Sequence, residues 1–242
     1  MKLNKILIIG GTHGNEKTGV DVVRHLKNCT VKNIDTLIAN PRAVSNNCRF
    51  METDLNRSFN LQKKQSYEEK RTVFISKKMK KYDFIIEFHN TNSMTNCVII
   101  TNKRPTILQS KIIKYFGFKH VIVMPPKNSL SSQNPSKTVS FEISTKNGVS
   151  SVLLLKKILS IKNEINNYDF RNFTIYKYSG TKIYKNILQK VSLKIEDFTD
   201  FYPIKKKNSK ILGLKPDMNI PFLIGGTSYG KDFGFCVAKV IK

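Results

Sequence analysis

Lys5-Ile6-Leu7-Ile8-Ile9-Gly10-Gly11-Thr12-His13-Gly14-Asn15-Glu16 is the stretch on which the architecture turns. The aliphatic run Ile6–Ile9, closed by two glycines, predicts a strand buried on both faces. The glycines permit a sharp backbone turn directly after it. His13 and Glu16 fall in that turn, beside the end of the strand.

Outward from this segment the pattern alternates. Thr18–Asn28 carries Val20, Val22, Val23 and Leu26 among polar residues and predicts a helix. Asp35–Ala39 predicts a second strand, closed by Asn40-Pro41, and the polar Gln62–Lys80 a surface helix. Strands are expected at Tyr82–Phe88, Cys97–Thr101, His120–Met124 and Ser140–Ile143, with helices at Thr106–Phe116 and Ser150–Ile165. Such alternation implies an α/β protein whose sheet has parallel character and is flanked by helices. After Asn167 the texture changes to short β-like runs broken by Gly, Pro and Asn: FTIYKYSG, KIYKN, ILGLK, IPFLIG and GFCVAKVI. The expected division is an α/β domain over residues 1–166 and a small β-rich domain over 167–242.

Composition narrows the function classes. With 242 residues, 40% of them apolar, the chain can build a substantial core. No apolar run approaches the roughly 18–20 residues of a membrane span. The opening MKLNKILIIGGTHGNE has the basic and apolar elements of a signal peptide. Its apolar run is short and lacks a small-residue cleavage site, so a soluble cytoplasmic protein is expected. Cys29, Cys48, Cys97 and Cys236 are far apart, which argues against a thiolate zinc site or a disulfide framework. The net charge of +25 comes mainly from lysine, since arginine occurs only at positions 24, 42, 49, 57, 71, 104 and 171. Base and phosphate recognition leans on arginine, so no nucleic-acid partner is expected, and no membrane partner. A positive field that draws in an anionic substrate fits the charge better.

Zinc takes imidazole nitrogen and carboxylate oxygen, and its catalytic sites keep one position open for water. His-x-x-Glu pairs are common without a metal, so His89 carries much of the weight. It follows the apolar run YDFIIEF and opens the polar run His89-Asn90-Thr91-Asn92-Ser93. In doubly wound sheets, sites form at the carboxyl ends of strands, where both His13 and His89 are expected. His25, in a predicted helix, and His120, before a strand, read as ordinary. Glu87 shares a strand face with His89 and could accept its other ring N–H. The alternative for Glu87 is a salt bridge to a nearby lysine.

Four blocks then occur in order: GGTHGNEKTG, NPRAV at Asn40–Val44, RFMETDLNRSF at Arg49–Phe59, and FHNTNS at Phe88–Ser93. Together they resemble the aspartoacylase/succinylglutamate desuccinylase family of zinc carboxypeptidase-like enzymes, nearest to its compact bacterial members. The resemblance covers roughly residues 1–150. It implies a carboxypeptidase-like mixed α/β sheet with a small C-terminal β domain capping the cleft. The implied activity is hydrolysis of the amide of an N-acyl amino acid, with N-acetyl-L-aspartate the first expectation. One Zn2+ per chain would be held by His13, Glu16 and His89. Glu142 would be the general base and Arg49 the oxyanion partner. Arg49, Asn56, Arg57, Asn90 and Tyr229 would bind substrate, and Asp54 would orient an arginine.

The chain departs from the family pattern in three respects. The turn after the base, often Glu-Val-Gly-Pro-Gln, here reads Glu142-Ile143-Ser144-Thr145-Lys146. The arginine expected near Ser132 to clamp a side-chain carboxylate is absent, leaving Lys127 or Lys137 as substitutes. The last third is shorter than in typical animal members. The expected partner is therefore a small anionic N-acyl amino acid of open identity, with homo-oligomerisation possible. A deacylase of other specificity, a carboxypeptidase-like peptidase and a non-catalytic binding protein are the alternatives.

Overall fold

The computed structural model describes residues 4–29, 31–124, 128–165, 172–226 and 230–241. In chain order the strands are β1 (Ile6–Gly10), β2 (Ile34–Ile38), β3 (Phe84–Thr91), β4 (Cys97–Ile100), β5 (His120–Val123), β6 (Thr138–Ser144), β7 (Thr174–Tyr184), β8 (Ile220–Phe222) and β9 (Phe233–Ile241). The helices are α1 (Lys17–Lys27), α2 (Pro41–Ser45), α3 (Tyr67–Met79), α4 (Ile107–Phe116), α5 (Ser151–Glu164), α6 (Lys185–Lys190) and α7 (Lys206–Ile211). None of them is long and apolar enough to cross a membrane.

The described strands form one mixed sheet in the order β2-β1-β3-β6-β4-β5-β7-β9-β8. The pairs β1–β2, β1–β3 and β3–β6 are parallel, so the carboxyl ends of β1, β3 and β6 lie at one edge. β4 runs antiparallel to β6, and β5 and β7 follow parallel to β4. β7 pairs in register with β5, so the segment expected as a β-rich cap extends the main sheet through β7, β9 and β8. The expected boundary at 166/167 lies outside the described residues at its first position and those that follow.

Strand alternation assigns each face its layer. Ile6, Ile8, Phe84, Ile86, Phe88, Val139 and Phe141 pack with Val22, Val23, Leu154 and Ile158 of α1 and α5. Leu7, Ile9 and Ile85 face the other way, against Leu55, Phe59, Leu130 and Ile75 and Met79 of α3. Burial on both faces explains why β1 reads as an unbroken apolar run. Glu87 and His89 continue the odd-numbered side of β3, and Ser140 and Glu142 occupy the corresponding side of β6.

The structure corrects two local expectations. β3 does not end before His89 but continues to Thr91, because His89, Asn90 and Thr91 pair with Glu142, Ile143 and Ser144 of β6. Polar side chains do not end a strand whose neighbour continues the ladder. ILGLK is not a strand: its first residue ends α7, and Gly213 at φ +64° supplies the left-handed helix stop. Short apolar runs read alike as strand or buried helix.

Candidate metal centre

β1 delivers the chain into the turn that carries the first two candidate ligands. Gly11 adopts φ +68°, a conformation glycine tolerates best. A Cβ on Gly14 would lie 2.1 Å from the carbonyl oxygen of Ala43, so the turn packs directly on the backbone of α2. Glu16 is the N-cap of α1, where the positive end of the helix favours a carboxylate.

His13, Glu16 and His89 converge, with ligand atoms within 4.8 Å of one another, and all three are buried. His13 Nδ1 lies 2.6 Å from Glu16 Oε1, and His89 Nδ1 lies 2.9 Å from Glu16 Oε2. The opposite ring nitrogens each face a carboxylate. His13 Nε2 is 3.1 Å from Asp54 Oδ1, and His89 Nε2 is 2.9 Å from Glu87 Oε1. The second contact is out of line with the ring N–H and makes no hydrogen bond. Glu87 is held in turn by Thr12 and Ser140, whose hydroxyls donate at 2.8 and 2.7 Å. Glu87 therefore backs His89 rather than pairing with a lysine.

This donor set fits a zinc ion. Two imidazole nitrogens and a carboxylate converge; Asp54 hydrogen-bonds the remote nitrogen of His13, the arrangement that fixes a ligating histidine's tautomer, and Glu87 stands 2.9 Å from that of His89. The electrostatics agree. Burial opposes protonation of His13 and His89, yet the surrounding carboxylates outweigh it and raise both pKa values. Burial alone would raise Glu16, but the two histidines hold it well below the usual carboxylate range. A group of carboxylates this dense favours a cation among them.

The trio opens on a cavity of about 300 Å³. Of the residues expected at the site, Arg49, Asn56, Arg57 and Glu142 also line it. Arg49 donates to Asp54 Oδ2 at 3.2 Å and lies 3.7 Å from Glu16 Oε1. Asp54 thus orients an arginine, as expected, and His13 as well. Glu142 sits in register with His89 across β3–β6 and with Cys97 across β6–β4. Burial pushes its carboxyl up to about 7, with Glu16 and Glu87 adding to the rise and the two histidines opposing it.

Asn90 is not brought to the cavity. Its Oδ1 accepts from Thr18 N at 3.0 Å, and its Nδ2 donates to Thr18 Oγ1 and Ile143 O at 2.8 and 3.2 Å. It fastens the start of α1 to β3 and β6, because the alternation that turns His89 inward turns Asn90 to the other face. Tyr229 and Lys127 lie outside the described residues, and Lys137 is exposed. The altered turn after Glu142 is nonetheless closed: Ser144 Oγ accepts from Lys146 N and Asn147 N at 3.1 and 3.0 Å.

Sequence reasoning missed the far wall, which includes Ile99, Met124, Tyr178, Lys182, Leu223 and Phe233. Asp200 secures part of it. Its Oδ1 accepts from Ile224 N at 3.1 Å, and its Oδ2 accepts from Ser93 Oγ and Met94 N at 2.5 and 3.2 Å. No motif marked these residues, because strands remote in sequence bring them together.

Comparisons with known proteins identify the family. A probable aspartoacylase of Trichodesmium erythraeum is 36% identical over 133 residues, covering 48% of this chain and 45% of its own length. Mus musculus aspartoacylase is 39% identical over 117 residues, covering 40% and 38%. The chain thus spans less than half the length of these curated relatives in the matched region. Murine aminoacylase 3 superimposes with a TM-score of 0.67 at 19% identity, over 100% of this chain and 96% of its own. Succinylglutamate desuccinylase from Chromobacterium violaceum does so with a TM-score of 0.70 at 13% identity, over 99% and 85%. These likenesses establish a shared fold. The family model described as the succinylglutamate desuccinylase/aspartoacylase catalytic domain matches residues 2–145, the segment that holds the trio, Arg49 and Glu142. The chain belongs to the succinylglutamate desuccinylase/aspartoacylase family.

Proposed function

We propose that this protein is a zinc-dependent hydrolase of N-acyl amino acids, with N-acetyl-L-aspartate the first substrate to test. The observation that carries this reading is the convergence of His13, Glu16 and His89 beside Glu142 and Arg49 on one cavity. A zinc ion held by the trio would polarise the scissile carbonyl and lower the pKa of a bound water. Glu142, on the cavity wall beside the trio, is placed to take a proton from the attacking water and return it to the leaving amine nitrogen. Arg49, held by Asp54, faces the oxygen that gains charge, where loss of one fixed donor typically costs about 3–4 kcal/mol. Asn56 and Arg57 are suited to the amino acid's α-carboxylate. The guanidinium presents a planar fork, and Asn56 is fixed because its Oδ1 accepts from Leu130 N at 2.9 Å.

The test is a deacylation screen over N-acetyl, N-formyl and N-succinyl amino acids with zinc supplied, coupled to metal analysis. The expected result is close to one zinc per chain, strongly reduced in His13→Ala, and release of free amino acid. Unchanged zinc in His13→Ala would refute the ligand assignment. Turnover of peptides but not of N-acyl amino acids would favour a carboxypeptidase-like activity instead.

A further inference from the structure

Along the lining of the cavity, chemistry changes with strand order. β6 contributes Glu142, the adjacent β4 contributes Ile99, Met124 follows directly on β5, and β7 contributes Tyr178 and Lys182. Leu223 and Phe233 complete the apolar stretch. The cationic side chains lining the cavity therefore stand in two groups among the described residues. Arg49 and Arg57 accompany the metal trio, and Lys182 stands three strands from Glu142. At about 4.8 Å per strand, the backbones of β6 and β7 are about 14 Å apart along the sheet.

A break in the β7–β9 ladder aims Lys182 at this position. Tyr178 pairs with Ala238 and Lys182 with Cys236, so four steps along β7 oppose two along β9. Gly180 at φ +87° carries the extra length. Ser179 Oγ donates to Val237 O at 2.7 Å and accepts from Thr181 N at 3.1 Å, which pins the bulge. In a regular strand, Tyr178 and Lys182 would be about 13–14 Å apart; against two residues of partner strand the separation is nearer 7 Å. The bulge thus sets an aromatic and a cationic side chain side by side on the cavity face.

We infer that Lys182 is a specificity-determining residue, reading a second carboxylate separated from the scissile amide by an aliphatic segment that lies over Ile99 and Met124. This rests on the N-acyl amino acid reading above. The carboxylate could come from the amino acid's side chain or from a dicarboxylic acyl group, and the substrates tested separate the two. N-acetyl-glutamate against N-acetyl-glutamine probes the side chain. N-glutaryl-alanine against N-pentanoyl-alanine probes the acyl group.

In the zinc-loaded protein, at least one pair should show a preference of tenfold or more in kcat/KM for the carboxylate member, expressed mainly in KM. Lys182→Met should bring that ratio toward one, and Lys182→Arg should retain part of it. A ratio that survives unchanged in Lys182→Met, or no preference in either pair, overturns the assignment. If the wild-type protein hydrolyses no N-acyl amino acid, the functional reading fails. Lys182 is then judged by calorimetry with glutarate, where binding weakened tenfold in Lys182→Met supports the subsite and equal binding refutes it.

Discussion

Glu68 shows how a residue with no chemistry of its own can govern this site. Its carboxylate is fully covered, yet lies beneath the thin loop 51–53, where Met51 and Glu52 are exposed. Oε1 accepts from Met51 N at 2.7 Å and Asn40 Nδ2 at 3.1 Å, and Oε2 accepts from Glu52 N and Thr53 N at 3.3 and 3.4 Å. Burial works against ionisation, but these donors hold the carboxyl below its ordinary value. The loop connects Arg49 to Asp54. Hydrogen bonds to charged groups contribute about 1.5–3 kcal/mol each, and the two shortest here would contribute about 3–6 kcal/mol. Water can reach the exposed loop N–H groups once the carboxylate is gone, so Glu68→Ala should cost about 3 kcal/mol. In a chain of this size that corresponds to a melting temperature lower by about 6–12 °C. Glu68→Gln keeps the shape but turns an NH2 toward N–H donors, and should cost about 1–2 kcal/mol. The linkage follows from the depressed pKa: the contribution is present above the unfolded value of about 4.5 and lost as pH falls through the folded value. The gap between wild type and Glu68→Gln should therefore close in acid. Thermal denaturation across pH reads the stability effect, and kcat/KM on the best substrate should fall at least tenfold in Glu68→Ala while zinc content holds. An unaltered melting temperature together with unaltered kcat/KM would refute the argument.

Further outcomes bear on the centre itself. Glu142→Gln should keep its zinc and lose most turnover; near-normal hydrolysis would mean that another group is the base. In metal-free protein, Glu142 contributes stability that is fully present below about pH 4.5 and lost as pH rises through about 7. Glu142→Gln should thus be the more stable form well above pH 7, by on the order of 3 kcal/mol in denaturant titrations. Asn90→Ala should lower stability by about 2 kcal/mol while leaving KM within threefold, since its three side-chain hydrogen bonds go to protein groups; a selective rise in KM would instead point to substrate contact. Gly14→Ala should reduce zinc content severely, because the added methyl meets the Ala43 backbone; metal analysis of the purified variant reads it directly.

Much of the site is legible in the chain because its parts are local. Gly10–Glu16 is a strand end, a turn and a helix cap within one short stretch, so backbone permissiveness and ligand chemistry can be read together. The alternating pattern also carries Glu87 to its place behind His89, since side chains two apart on a strand share a face. The same rule, applied past the end of the apolar run, would have turned Asn90 away from the cavity. The polarity of His89–Thr91 hides this continuation, which pairing with β6 imposes. Tertiary structure alone determines the wall opposite the trio. Lys182 reaches it through a bulge whose register depends on β9, far along the chain, and through the attachment of β7 to β5. Local sequence records which residues can turn, cap or ligate. Long-range strand pairing decides which of them meet across the cavity, and with it the substrate that the centre can accept.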